Sequence, residues 1–200
     1  MINKKTIIFD FGGVLGSDAD EWTKSFKRIP EMTGLDPDEL QDIWRRHWKE
    51  VRIGKKELRA VFEDMAMHSK KRVAVSSLEE VYMKGISINQ KVLDFAKEIK
   101  QKGFDTAILA NESKQGMEEK IKRFGLNRLF SKIYCSADLG MAKPNKDIFE
   151  YALKDLGKKE QDVIFIDNQE INVEMANSLG IKTIHFKGIG QLKKELTKML

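Results

Sequence analysis

The sequence has little cysteine and little proline, and each shortage excludes a class of protein. Cys135 is the single cysteine among 200 residues, which excludes a disulfide framework and a zinc site built from several cysteines. Three prolines exclude a proline-rich or low-complexity architecture. A chain of this length buries a full hydrophobic core without cross-links. We therefore expect a globular protein of a reducing compartment, most simply the cytoplasm.

Long hydrophobic runs are absent as well. No segment approaches the ~18 consecutive apolar residues that a membrane-spanning helix requires, so we expect no membrane partner. The N-terminus resembles a signal peptide only superficially, because Asp10 interrupts the apolar run that follows Lys5.

Positive charge is in modest excess. Lysine and arginine number 36 against 31 acidic residues, which gives a net charge of +5. Only 8 of these basic residues are arginine, the residue that groove-reading proteins favour, and the basic runs are two or three residues long. We expect a solvated lysine-rich surface and no nucleic-acid partner.

Five short apolar runs alternate with amphipathic stretches. The runs are Thr6 to Phe9, Thr106 to Ala110, Lys132 to Cys135, Val163 to Ile166 and Lys182 to Phe186. Runs of this length suit strands that are buried on both faces, whereas the period near 3.6 between them indicates helices. The alternation predicts an α/β fold with a parallel sheet covered by helices on both faces.

Between the first run and residue 88 the pattern changes. Four amphipathic stretches occur there, around Trp22 to Ile29, Leu40 to Trp48, Glu57 to Met67 and Leu78 to Met83. Asp36 followed by Pro37 is typical of a helix N-terminus. We predict a core domain of residues 1–16 and 88–200, interrupted by an all-helical domain of residues 17–87.

Polar residues stand where four of the predicted strands end, and open α/β sheets bind ligands beyond the carboxyl ends of their strands. Asp10 and Asp167 each end a buried strand, where an unpaired carboxylate is costly. Asn111 follows another strand, and Lys143 precedes Pro144 after a fourth. Two carboxylates and a lysine favour a Mg²⁺ and phosphate site. Ordinary roles stay open, namely a turn cap for Asp10, a helix cap for Asn111 and a surface position for Lys143.

Taken in order, these motifs resemble those of the haloacid dehalogenase-like (HAD) hydrolase superfamily, in the subfamily with a helical cap inserted after the first strand. The specific parts are S-x-x-x-G-x-x-K-P, which begins at Ser136, and F-I-D-N-x-x-x-N-V-E-x-A-x-x-x-G-I, which runs from Phe165 to Ile181. The resemblance implies a Rossmann-like sheet of strand order 5-4-1-2-3 with an all-α cap. It also implies phosphoryl transfer through an aspartyl-phosphate.

Carried over by position, the resemblance assigns a role to each motif residue. Asp10 is then the nucleophile that attacks phosphorus, and Lys143 neutralises that carboxylate and the transferring phosphoryl group. Asp10, Asp167 and Asn168 hold Mg²⁺ together with a backbone carbonyl at Gly12.

Three positions depart from the family pattern. Gly12 replaces a second aspartate that serves as general acid and then general base, a loss worth ~10² to 10⁴ in rate. Ala110 replaces a serine or threonine, so Asn111 and the backbone N–H groups beside it are left to cradle the phosphate. Asn168 offers Mg²⁺ an oxygen but no charge. Candidates for the missing acid are Asp18, Asp20 and Glu112.

The resemblance leaves three functions open. The first is a Mg²⁺-dependent phosphatase of a small, sugar phosphate-like metabolite. The second is a 2-haloacid dehalogenase, which uses the same nucleophile on carbon without a metal, although Asp167 does not fit the Ser-Ser-Asn run typical of those enzymes. The third is a weakened domain that binds a ligand or a protein. We favour the first, acting as a monomer or a weak homodimer.

The helical insertion holds further candidates for substrate contact. Trp44 and Trp48 lie four residues apart on one predicted helix, so we expect them to pack the core of the insertion, with a substrate platform as the alternative. The sequence does not discriminate among the arginines of this region, which are Arg45, Arg46 and Arg52.

Overall fold

The fold is built on a five-stranded parallel sheet. A computed structural model of the protein describes residues 4–17 and 21–200, with residues 21–26 described as backbone only. The strands are β1 (Thr6–Phe9), β2 (Asp105–Ala110), β3 (Lys132–Cys135), β4 (Val163–Asp167) and β5 (Lys182–His185). They lie in the order β3-β2-β1-β4-β5, and every adjacent pair is parallel. This order is the predicted 5-4-1-2-3 counted from the opposite edge, so the predicted fold class is confirmed.

Four helices fill the insertion after the first strand. They are α1 (Glu21–Thr33), α2 (Pro37–Val51), α3 (Arg59–Met67) and α4 (Val75–Gly85). The predicted N-terminus of α2 is present as a reciprocal capping box. Asp36 Oδ1 accepts from the Glu39 backbone N–H at 2.8 Å, and Glu39 Oε2 accepts from the Asp36 N–H at 2.9 Å.

The remaining helices cover the two faces of the sheet. They are α5 (Gln90–Gln101), α6 (Lys114–Phe124), α7 (Leu126–Leu129), α8 (Ser136–Leu139), α9 (Lys146–Leu156), α10 (Glu170–Ser178) and α11 (Ile189–Met199). Among the described residues, no helix has both the length and the apolar character needed to cross a bilayer.

Two hydrophobic clusters, one on each face of the sheet, explain why the strands appear in the sequence as continuous apolar runs. Side chains alternate across a strand, so Ile7 and Phe9 of β1 pack on one face of the sheet with α5 and α11. Ile8 packs on the other face with α9. The insertion helices bury a separate cluster, which includes Leu40 and Phe62. Both faces of the sheet are therefore dry, and polar groups concentrate where its strands end.

Two of the contacts between the insertion and the core show how the insertion is held. Its entering and leaving segments lie side by side, since Gly16 and Ile88 form an antiparallel bridge. Beyond α2, the Ser136 hydroxyl donates to the Arg52 carbonyl at 2.5 Å. Gly54 packs so closely there that an added Cβ would lie 2.2 Å from the Ala137 carbonyl oxygen. These contacts hold the insertion over the carboxyl ends of the strands.

Candidate active site

Two buried carboxylates lie next to each other because β1 and β4 are neighbours in the sheet. Asp10 directly follows β1 and Asp167 ends β4, and the Asp10 backbone N–H donates to the Ile166 carbonyl at 2.8 Å. Asp10 and Asp167 are 5% and 0% exposed. The Asp10 side chain does not cap the turn that follows it, which rules out the ordinary role left open for it.

Lys143 joins the two carboxylates. Its Nζ donates to Asp10 Oδ1 at 2.7 Å and to Asp167 Oδ2 at 2.6 Å. The side chain is 1% exposed, so Lys143 is not a solvated surface lysine. One ammonium faces two carboxylates, and when all three groups are ionised the cluster has an excess negative charge. That excess repels an incoming phosphate unless a cation offsets it.

The electrostatics of this cluster follow from its burial. Desolvation raises the pKa of Asp10 to about 7, against the lowering effect of the Lys143 ammonium, while the Asp167 carboxylate adds to the increase. Burial alone lowers the pKa of Lys143, but Asp10 and Asp167 together raise it above its ordinary value. The lysine therefore stays protonated while it holds the nucleophile candidate.

Asn111 fixes the backbone of Lys143 through two hydrogen bonds. Its Nδ2 donates to the Lys143 carbonyl at 2.8 Å, and its Oδ1 accepts from the Lys143 backbone N–H at 2.9 Å. One N–H of the carboxamide remains for a ligand, and the residue lines the cavity described below. Ala110 is buried in a hydrophobic cluster, so only its backbone is available to a phosphate.

Asn172 belongs to the site, although no role was predicted for it. Its Nδ2 donates to Asp167 Oδ2 at 3.0 Å. Its Oδ1 is buried without a partner in the part of the chain that the structure describes. The signal was the second asparagine of D-N-x-x-x-N, five residues after Asp167 and near the start of α10, which places its side chain back at the strand end.

The oxygen atoms of this cluster fit Mg²⁺. Asp10 and the amides of Asn168 and Asn172 line one cavity, and the buried Asp167 carboxylate contacts Lys143 and Asn172 beside it. The orphaned amide oxygen of Asn172 is an open acceptor for a hard cation. Among the described residues, no group of three His, Cys, Asp or Glu side chains forms a metal cluster. This does not conflict with the fit, because Mg²⁺ is commonly held by one or two carboxylates with neutral oxygens and water.

The two glycines after Asp10 have different constraints. Gly12 has φ −64°, and an added Cβ would meet only Asp10 Oδ2, at 4.0 Å. Gly13 has φ +73°, and an added Cβ would lie 2.3 Å from Asn168 Nδ2. Glycine is therefore required at position 13 but not at position 12.

Gly13→Ala is expected to lower the free energy of unfolding by about 1–2 kcal/mol from the left-handed backbone alone, with a further cost from displacing Asn168. Gly12→Ala is the matched control, and it should be neutral or slightly stabilising because its φ is negative and space is open. Urea unfolding of both variants measures the difference. Equal stability of the two variants would contradict the close approach of Gly13 to Asn168.

A second buried ion pair lies in the wall of the same cavity. Lys120 Nζ contacts Glu112 Oε2, and Glu112 Oε1 accepts from the Ser113 backbone N–H at 2.8 Å and from its hydroxyl at 3.0 Å. Lys120 Nζ also lies 4.8 Å from the centroid of the Phe11 ring. Three donors occupy the Glu112 carboxylate, so it is poorly suited to replace the missing acid. Asp18 and Asp20 lie outside the described residues.

Lys120→Met is expected to lower the free energy of unfolding by about 3 kcal/mol, because it leaves the buried Glu112 carboxylate without its cation. Lys122→Met on the same helix is the control, since Lys122 is exposed and should change stability by less than about 0.5 kcal/mol. Chemical denaturation compares the two. A Lys120 variant as stable as the control would contradict the buried pair.

A cavity of about 380 Å³ lies between the strand ends and the insertion. Asp10 and Lys143 line its floor, and Trp44, Trp48 and Tyr82 line the side formed by the insertion. The two tryptophans also pack against the insertion's hydrophobic cluster. The packing expected for them is present, and the same rings also line the cavity, as expected for the alternative of a substrate platform.

The arginines of the insertion lie elsewhere. Arg45 pairs with Asp42 at 3.1 Å, and Arg46 pairs with Asp64 at 3.4 Å. Arg52 gives its carbonyl to Ser136. Within the described residues, none of these arginines lines the cavity over Asp10.

Comparison with known proteins identifies the family. The family described as haloacid dehalogenase-like hydrolase matches residues 7–186. The chain belongs to this family. The matched range contains Asp10, Asn111, Lys143 and Asp167, so the whole buried cluster of this HAD hydrolase lies within it.

Several relatives of this HAD hydrolase are larger proteins. Drimenol cyclase drtB from Aspergillus calidoustus is 34% identical over 91 residues, which are 46% of this chain and 17% of that protein. Bifunctional epoxide hydrolase 2 from Rattus norvegicus is 29% identical over 133 residues, which are 62% of this chain and 24% of that protein. The matches thus span a quarter or less of these two relatives.

Other comparisons extend over nearly the full chain. D-ribitol-5-phosphate phosphatase from Bacteroides thetaiotaomicron is 25% identical over 211 residues, and the match covers 98% of both proteins. An HAD family enzyme from the same organism, solved as a mutant in complex with magnesium and inorganic phosphate, superposes with a TM-score of 0.73. It is 25% identical, and the superposition covers 92% of this chain and 94% of that one. Phosphatases are therefore among the proteins to which this chain is similar.

Proposed function

We propose that this HAD hydrolase is a Mg²⁺-dependent phosphatase of a small, sugar phosphate-like metabolite. The observation that carries the proposal is Lys143 Nζ, which bridges the Asp10 and Asp167 carboxylates at 2.7 and 2.6 Å at the base of a cavity. A nucleophilic carboxylate, a fixed cation beside it and an excess negative charge for a metal to offset are the parts that phosphoryl transfer needs.

Asp10 is the nucleophile in this proposal. Its carboxylate attacks phosphorus, the bond to the leaving alcohol breaks, and the phosphoryl group becomes covalently attached to Asp10. Lys143 holds Asp10 through Oδ1 and places a positive charge beside the transferring group, and Asn111 fixes the backbone of that lysine. A water molecule then hydrolyses the aspartyl-phosphate and releases inorganic phosphate.

Asp10, Asp167, Asn168 and the Gly12 carbonyl would hold Mg²⁺, with Asn172 as an added neighbour. The metal would supply charge that offsets the repulsion between the carboxylates and the phosphate. The complex of magnesium and inorganic phosphate in the structural relative supports this assignment, as does the phosphatase that matches nearly the whole chain. Residues 17–87 act as a cap that covers the site in this proposal.

Turnover of p-nitrophenyl phosphate with and without Mg²⁺ tests the proposal. We expect phosphate release that EDTA removes and added Mg²⁺ restores. Metal-independent halide release from 2-chloropropionate would instead identify a dehalogenase. Neither activity over a broad panel of phosphomonoesters and haloacids would identify a domain that only binds.

A further inference from the structure

Aromatic rings of the insertion form a continuous stack that ends in the cavity. Ring centroids lie 5.5 Å apart for Phe62 and Tyr82, 5.4 Å for Tyr82 and Trp44, and 5.1 Å for Trp44 and Trp48. The two tryptophan planes are nearly parallel, at 23°. Phe62 is fully buried in the insertion's hydrophobic cluster, whereas Trp48 is half-buried and lines the cavity. The stack is thus anchored at one end and presents a rigid aromatic wall at the other.

Polar groups of the core form a second wall. Glu112 and Lys120, together with Gln169, line the same cavity. Glu112 and Lys120 are paired with each other and almost fully buried, whereas Gln169 is exposed and offers an amide acceptor and donors to hydroxyl groups. The cavity therefore combines an aromatic surface with a polar surface, and the phosphoryl site lies at its floor.

The charged side chains that line the cavity are paired with each other. Among the described lining residues, the charged side chains are Asp10, Glu112, Lys120 and Lys143, and each lysine contacts a carboxylate of the same cavity. A second anionic group on a substrate would meet no cation that is not already bound to a carboxylate. This balance favours a leaving group without charge.

The geometry points to a neutral sugar in ring form as the leaving group of the phosphatase substrate. One face of such a ring carries C–H groups and packs on Trp48, while ring hydroxyls reach the Gln169 amide. This inference rests on the proposed function and narrows its substrate class. The enzyme should therefore hydrolyse ring sugar phosphates in preference to open-chain polyol phosphates and to bisphosphates.

Three phosphate esters test the inference with the whole enzyme. Methyl glucoside 6-phosphate is locked as a ring, sorbitol 6-phosphate is its open-chain counterpart, and glucose 1,6-bisphosphate carries a second anion. We expect kcat/KM for the locked ring to exceed that for each of the others by about tenfold, a ratio typical of one good aromatic contact. Equal or better turnover of the open-chain ester or the bisphosphate would overturn the inference.

Variants of Trp48 separate substrate recognition from a structural role. Trp48→Leu should lower kcat/KM for the locked ring about tenfold, and Trp48→Phe, which keeps a flat face, should restore most of it. Acetyl phosphate has a leaving group too small to reach the wall, so its turnover should change by less than about twofold. Met67→Ala is the control within the insertion, because Met67 is 75% exposed.

An equal loss with acetyl phosphate and with the locked ring in Trp48→Leu would assign Trp48 a structural role and overturn the inference. Failure of the proposed function gives a different result. The unmodified enzyme would then release no phosphate from any of the four compounds, acetyl phosphate included.

Discussion

Asp10→Asn is expected to lower the rate of phosphate release by a factor on the order of 10⁵, the scale seen when a hydrolase loses its nucleophile. Asparagine keeps the size of the side chain and one oxygen that accepts from Lys143, but its amide does not form the covalent intermediate. Initial rates with p-nitrophenyl phosphate at saturating Mg²⁺ measure the effect.

The Asp10 variant should remain folded. Burial raises the pKa of Asp10, so its ionised form is unfavourable in the folded state, and a neutral amide at this position relieves that cost. We expect a free energy of unfolding at pH 8 without metal that is equal to or higher than that of the unmodified protein. Asp105→Asn is the matched control, since Asp105 is exposed at the start of β2, and it should keep full activity. A folded Asp10→Asn enzyme with undiminished turnover would remove Asp10 from the mechanism.

Gly12→Asp is expected to raise the rate by about 10²-fold or more, because it supplies a general acid and base at a position where this chain has glycine. The structure leaves room for the side chain. The Gly12 backbone has φ −64°, which any residue adopts, and an added Cβ meets only Asp10 Oδ2, at 4.0 Å. Gly12 lines the same cavity as Asp10, so the new carboxyl group should face that cavity.

Gly12→Asn separates acid–base chemistry from a change of shape. Asparagine has the size of aspartate but does not transfer a proton at neutral pH, so its rate should stay near that of the unmodified enzyme. Both variants are best compared at saturating Mg²⁺ with an alkyl phosphate, whose poor leaving group depends most on protonation. Equal rates for the two variants would show that an acid at position 12 does not limit this enzyme.

The fold was predictable because its strands are buried on both faces. Each strand forms an apolar run such as Val163 to Ile166, and the observed bounds of all five strands differ from the predicted ones by one residue or less. Asp10 and Asp167 were predictable as a pair because parallel strands carry their carboxyl ends to one edge of the sheet. The motif spacing then placed Lys143 with them, and the structure brings all three together.

The remaining features of the site depend on tertiary contacts, which the sequence pattern does not specify. Asn111 forms hydrogen bonds with the backbone of Lys143, which is 32 residues away. Only the path of the loop after β3 brings the two residues together. Trp44 and Trp48 have the spacing of core residues, and their second role depends on how the insertion sits over the sheet. The orphaned oxygen of Asn172 likewise becomes visible only when its neighbours are placed.

Acid quenching during turnover, followed by peptide mass spectrometry, tests whether the phosphoryl group becomes attached to Asp10. Without an acid or base at position 12, hydrolysis of the aspartyl-phosphate should be the slow step, so the intermediate should accumulate during turnover. We expect a phosphoryl group on Asp10 with substrate and Mg²⁺, and none in the presence of EDTA or in Asp10→Asn. Steady phosphate release with no phosphoryl group on Asp10 at any time during turnover would contradict it.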